Sequence, residues 1–178
     1  MISPLSLSNL LTVCVAFACL WSIVPQARGG IVRIWRLAIP AALAAVQAFV
    51  LLAGVFEASI YHDLQWLVAA LIGGVLGRMR GWSVSIEADR ARDLVRLKPS
   101  MDAHIAAMCL AVLAAVDLIS AALEDAVLPA NWVAAASAFF AAYIGLRALA
   151  IAVRATRGPH GTSDGGWGIT PSSSTPVE

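Results

Sequence analysis

The chain has 178 residues, of which 60% are hydrophobic and 13% charged, with a formal net charge of +1. A soluble domain runs near about 45–50% apolar and about 25% charged, so a chain this short has no interior large enough for its apolar surface. An ordinary soluble domain is excluded and lipid is the expected solvent.

Five apolar stretches follow in order, at about residues 5–24, 37–56, 60–77, 101–123 and 132–153. Each except the third has the roughly 20 residues that a ~30 Å hydrocarbon layer demands of a helix. They predict an all-α membrane protein, a single bundle of five transmembrane helices over residues 1–157.

The first stretch resembles a signal peptide in length. It lacks a positive n-region, and Pro25-Gln26-Ala27 is a poor cleavage site, so an uncleaved span is expected. Cys14 and Cys19 are five residues apart and so off a common helix face. With Cys109 in the fourth stretch they read as small buried hydrophobes. In the second stretch, Gln47 falls near the middle, where an amide needs hydrogen-bond partners. It reads as glue between helices, with ligand contact as the alternative.

The third stretch is weak. Its uncharged core, Leu64 to Gly77, reaches only about 21 Å as a helix. It carries Gly73 and Gly77 four residues apart, a spacing that lets helix backbones approach closely. Trp82–Glu87 and Leu94–Lys98 then alternate apolar and polar around a polar turn, predicting a small cytoplasmic β-hairpin. A short amphipathic surface helix is the alternative. Pro99 ends this segment and Ser100 is expected to cap the fourth span.

Asp117 is the most informative single residue. It lies sixteen residues into the fourth span, about 24 Å from its inner end. An ionisable group there is a functional candidate. Glu124 is two turns further on the same face. Together with Gln47 they are the candidates for proton or cation binding, or for contact with a partner. Arg147, the only arginine inside a span, lies roughly 15 Å from Asp117 along the normal, too far to pair. Asp117 must therefore reach outside water, stay protonated, meet a cation or another subunit, or hydrogen-bond Ser120 or a neighbouring helix. Met101, His104 and Met108 share a face of this span, but no second in-span histidine matches them for haem, and an interfacial histidine beside core methionines is expected.

In the fifth span, Ala134, Ala138 and Ala142 form a row of small residues, with Ser137, Ala141 and Gly145 beside it. With Gly73 and Gly77 this row is a candidate packing surface. Its occupant is either a second copy or membrane-protein partner, or a neighbouring helix of the same bundle. Gly158 to Glu178 is rich in Gly, Ser, Thr and Pro and is expected to be a disordered cytoplasmic tail.

Charge fixes the expected topology. Arg28, Arg33 and Arg36 follow span one; Arg78, Arg80, Arg90, Arg92, Arg96 and Lys98 follow span three; Arg147, Arg154 and Arg157 close span five. Five crossings put all of them on one side, the cytoplasmic side, with the N-terminus outside and the C-terminus inside. Glu57, Asp63, Glu124 and Asp125 fall on the other face. Trp66 and Trp132 lie near outer ends, Trp35 and Trp82 near inner ends, as in an aromatic belt. Arg78, Arg80, Arg90, Arg92, Arg96 and Lys98 are expected to meet anionic lipid headgroups.

No phosphate-binding loop, nucleophile elbow, zinc-protease motif or paired cysteine–histidine set is present, so no catalytic residue, cofactor or metal is assigned. The basic loop lacks interleaved aromatics beyond Trp82, and nucleic acid is not an expected partner. The run Gly73–Gly81, leading into Ser83–Asp89, Leu94–Ser100 and span four, resembles the CcdC-like group of small bacterial membrane proteins. The resemblance covers about residues 65–125 and implies an association with cytochrome c maturation, without defined catalytic residues.

The expected protein is thus a multi-pass protein of a bacterial inner membrane, not an enzyme, serving as an accessory or assembly subunit. The alternatives are a small proton- or cation-coupled carrier or channel using Asp117, and a redox subunit associated with cytochrome c maturation.

Overall fold

The computed structural model describes residues 7–53, 60–89, 93–123 and 127–157. The expected tail, with Glu57, Arg90, Arg92, Glu124 and Asp125, lies outside the described residues. Five helices dominate: α1 (Leu7–Ala27), α2 (Ala38–Ala53), α3 (Ile60–Ser83), α4 (Asp102–Leu123) and α5 (Ala130–Arg157). Three short strands join them, β1 (Ile31–Arg33), β2 (Ile86–Asp89) and β3 (Leu94–Leu97), and a 3-10 turn, Ile34–Leu37, leads into α2. Four stretches are long and apolar enough to cross a membrane: Asn9–Ala27, Ile34–Ala53, Asp102–Leu123 and Ala130–Arg157. The helix α3 is not one of these four.

Local chemistry explains where the helices stop. At the end of α1, Gly30 N–H bonds Pro25 O at 3.1 Å and Gly29 N–H bonds Gln26 O at 3.3 Å. This is the Schellman arrangement, and it requires a left-handed residue, which Gly29 supplies at φ +74°. Pro40 sits in the first turn of α2, where a missing N–H breaks no helical bond. The helix α3 runs six residues past its expected end at Gly77. Hydropathy set that estimate, but charge does not stop a helix: Arg154 of α5 donates to Gly81 O at 2.9 Å and Val84 O at 2.6 Å, occupying carbonyls at the α3 C-terminus.

The expected hairpin is present as β2 and β3, antiparallel, with Glu87 opposite Arg96 and Ala88 opposite Val95. It is not a hairpin alone. β1 adds to the other side of β3, with Val32 opposite Val95, giving the order β1-β3-β2. Three residues are too few to announce a strand by alternation. Val32, Val95 and Leu97 bury one face of this sheet against Leu37 and against Ala148, Ile151 and Ala155 of α5.

The helices α1, α2, α5 and α4 form a closed ring, each packing on the next, and α3 lies outside it against α5. The ring's core is built from Cys19, Ile23, Ala44, Ala103, Ala106, Ala107, Leu110, Ala141 and Ile144. Small residues dominate it, so the helices approach closely. The helix α3 runs parallel to α5 in a constant register. A Cβ on Gly73 would collide with the backbone of Phe139, one on Gly77 with that of Tyr143, and one on Gly81 would fall 2.7 Å from Arg147 O. Only glycine permits this approach. Outside the ring, large apolar side chains such as Phe17, Trp21, Phe49, Leu71, Val75, Ile105 and Val112 project outward.

The sheet joins the C-terminal ends of α1, α3 and α5 to the N-terminal ends of α2 and α4. Among the described residues, all Lys and Arg side chains belong to segments at this sheet end of the bundle or to the last turns leading into it.

Candidate functional site

The most concentrated polar chemistry in the described chain sits just inside the sheet end, around Asp102. Asp102 opens α4, where the unpaired N–H groups favour a carboxylate. Tyr143 and Arg147 are one turn apart on α5 and project on the same side. The close register of α3 on α5 brings Arg80 to the same level. Ser100 arrives from the segment after β3.

The Asp102 carboxylate accepts hydrogen bonds from Arg147, Tyr143 and Ser100, and Arg80 forms an ion pair with it. Arg147 Nε donates to Oδ2 at 2.8 Å, and Arg147 Nη2 donates to Oδ1 at 3.3 Å and to Ser100 Oγ at 2.8 Å. Tyr143 Oη donates to Oδ2 at 3.1 Å, Ser100 Oγ donates to Oδ1, and Arg80 Nε lies 3.4 Å from Oδ2. Arg147 retains only 3% of its surface exposed, whereas the Arg80 side chain is 53% exposed. The planar guanidinium suits this two-pronged contact with a carboxylate.

Burying the pair costs desolvation, which the full set of hydrogen bonds offsets. A carboxylate so occupied has no lone pair free to act as a base, so the cluster is a clamp joining α3, α4, α5 and the segment after the sheet. Ser100 was expected to cap α4. Instead its hydroxyl is spent on Asp102 and Arg147, and Met101 O takes the first helical bond, from Ile105 N–H at 2.8 Å.

Gln47 is fully buried and crosses the ring from α2 to α4, where Nε2 donates to Leu110 O at 2.8 Å. Its Oε1 and His104 Nδ1 are buried and have no partner among the described residues. Asp117 is half-buried, on the α4 face that carries the core residues Ala103, Ala106, Leu110 and Ala114. Ser120 Oγ accepts from Val127 N–H at 3.2 Å rather than engaging Asp117. Glu124 lies outside the described residues.

Gly73 and Gly77 sit at the α3–α5 seam, while Ala134 is buried and Ala138 and Ala142 are partly so. Arg78, Arg80, Arg96 and Lys98 are exposed at the sheet end. Met101 and Met108 are exposed beside a partly buried His104, and no three His, Cys, Asp or Glu side chains among the described residues converge as a metal site.

Sequence reasoning missed the Asp102 cluster because it weighed Arg147 only as a partner for Asp117 and sought none for Arg147 itself. The signal was available: an aspartate in the first turn of span four lies at the same end of the bundle as an arginine ten residues from the end of α5.

No family model, no curated protein and no solved structure matches the chain. The resemblance over about residues 65–125 therefore stands on its sequence pattern alone.

Proposed function

We propose that the protein is an integral membrane protein of a bacterial inner membrane, crossing it five times with the sheet end in the cytoplasm, and that it acts as a non-enzymatic accessory subunit. One observation carries this reading. The polar chemistry at the sheet end is consumed in tying helices together through Asp102 and Arg147, while the outer surface of the bundle is apolar. An enzyme needs polar groups left free to meet substrate; a scaffold needs them satisfied.

Three features support the crossing count. The helices alternate in direction, so the ends that carry Lys and Arg coincide. Basic residues are retained on the cytoplasmic side. The helix α3, too short of apolar length to qualify by itself, is shielded along one side by α5. The exposed Trp35 and Trp82 rings, with Arg36 and Arg154 over them at 5.6 Å and 5.9 Å, fit the inner headgroup layer. There Arg78, Arg80, Arg96 and Lys98 meet anionic lipid. The partner is a second membrane protein or a second copy packing on the apolar helix faces.

Gentle detergent purification of the tagged full chain from membranes tests the reading. A stable companion protein, or a defined homo-oligomer, is the expected result. Recovery as a lone monomer after in-membrane crosslinking overturns the accessory role.

A further inference from the structure

The helices α3 and α4 both pack on α5 and scarcely on one another. They therefore flank α5 and leave a groove between them, floored by α5 and open to the surroundings of the bundle. The ion pair of Arg80 on α3 with Asp102 on α4 bridges this groove at the sheet end.

Helical phase names the walls. On α3, Leu76 and Ala69 lie four and eleven residues before Arg80 and share its face. On α4, Cys109 and Leu113 lie seven and eleven residues after Asp102 and share its face. On α5, Ala136 and Phe140 lie seven and three residues before Tyr143, whose hydroxyl meets Asp102. Leu76 is exposed and the other five are half-buried, as befits side chains between two packed faces. None of the six carries a charge. Both walls run eleven residues, about 16 Å, from the bridge. That matches one hydrocarbon leaflet, half of a ~30 Å layer.

Charge sets the mouth of the groove. Asp102 is one carboxylate beside two guanidiniums, Arg147 and Arg80. Arg147 is buried and takes both of its oxygens. Arg80 meets it through Nε at 3.4 Å and has no other acidic partner among the described residues. The cluster thus carries one uncompensated positive charge, held in place by Asp102 and half-exposed. The Arg80 Nη nitrogens make no hydrogen bond to the described residues, and their fork suits a phosphate. Arg78, two residues away, stands on the opposite side of α3.

We propose that this groove binds one anionic phospholipid of the cytoplasmic leaflet, with its phosphate on Arg80 and an acyl chain along α5 between α3 and α4. Basic sites between helices on the cytoplasmic side favour such headgroups. A singly negative headgroup balances the one unpaired guanidinium, whereas a zwitterionic headgroup brings an amine to a cluster already positive. A free phosphate would leave the apolar walls uncovered. The lipid joins α3 to α4 along the length where protein contacts do not. The site rests on the reading that the sheet end lies in the cytoplasmic headgroup layer, and it narrows that reading: lipid at Arg78 exchanges freely, and lipid at Arg80 is retained.

The test reconstitutes the full chain in nanodiscs of phosphatidylethanolamine and phosphatidylglycerol, extracts it gently and weighs it by native mass spectrometry. One phosphatidylglycerol retained per chain is the expected result. Arg80→Gln should lower its retention about tenfold, the factor that one charged hydrogen bond is worth, and Arg78→Gln should leave it unchanged. Because Arg80→Gln also touches the clamp, the unaltered chain supplies a second readout. Phosphatidylglycerol with a photoreactive acyl chain should label the peptides of Leu76 and Cys109 above those of Phe17 and Phe49, which face lipid elsewhere. Equal retention of phosphatidylethanolamine, equal losses in the two arginine variants, or label spread evenly over the bundle overturns the proposal. The position of the C-terminus and the companion sought by purification are separate measurements, so either reading can fail without the other.

Discussion

Arg147 shows what a buried guanidinium needs. At 3% exposure it is held by both oxygens of Asp102 and by Ser100, with Tyr143 and Arg80 completing the shell of the carboxylate. Removing one partner strands the other. Arg147→Met alone is expected to cost about 3–5 kcal/mol, because Asp102 then keeps the Ser100 and Tyr143 hydrogen bonds but only the half-exposed Arg80 as a positive partner. The double variant Asp102→Leu/Arg147→Met should lose far less than the sum of the single losses, since the one charge left unpaired, Arg80, is half-exposed. Unfolding of the detergent-solubilised protein measures both; simple additivity would show that the two residues are not a coupled unit. Tyr143→Phe removes one hydrogen bond to a charged group and should cost about 1.5–3 kcal/mol or less in the same assay. The ingredients of this cluster stand in the sequence, but Asp102 and Arg147 are 45 residues apart, and nothing local pairs them.

The glycine seam operates at the scale of elements. The helix α3 attaches to the ring through α5, with Gly73, Gly77 and Gly81 against the backbone of that helix and Asn131 Nδ2 donating to Gln65 Oε1 at 3.1 Å. Lipid gives no hydrophobic drive for two helices to associate, so this attachment depends on close packing and polar ties. Gly77→Val forces the backbones apart and should cost about 1–3 kcal/mol or more. A cysteine pair at positions 65 and 131, on a background without native cysteines, should then crosslink poorly. Gly145→Val is the control, since a Cβ at Gly145 meets nothing within 4 Å; equal loss in both variants would remove the seam from the explanation. The spacing of Gly73 and Gly77 was legible as a packing surface. Its occupant was not, because small-residue rows carry no address.

The sheet is a second element whose partner only the folded chain supplies. Val95 is fully buried between the flanking strands and α5. Val95→Asp places an unpaired charge there and should release the sheet, read as new protease cleavage between residues 86 and 97 while the helices stay protected. Continued protection of that segment would contradict the docking. Alternation around a polar turn was enough to foresee β2 and β3, whereas β1 is defined by the edge it finds rather than by its own three residues.

At the scale of the whole molecule, the direction of every helix and the side on which each loop emerges follow from one alternation. A reporter fused after Glu178 should be active only in the cytoplasm, and one inserted between Leu128 and Ala130 only outside. A periplasmic C-terminus would reverse the assignment of the basic end. The proposed topology rests on composition and charge, because a ~30 Å apolar layer demands long apolar helices and basic side chains resist crossing it. Solvent preference is written residue by residue, so apolar runs, cation placement and the alternating hairpin were readable in order along the chain. The ring α1–α2–α5–α4, the exclusion of α3 from it, the third strand and the meeting of Asp102 with Arg147 were decided only in three dimensions. Each depends on contacts between residues distant in sequence, whose energy exists only once the backbones are close enough to make them.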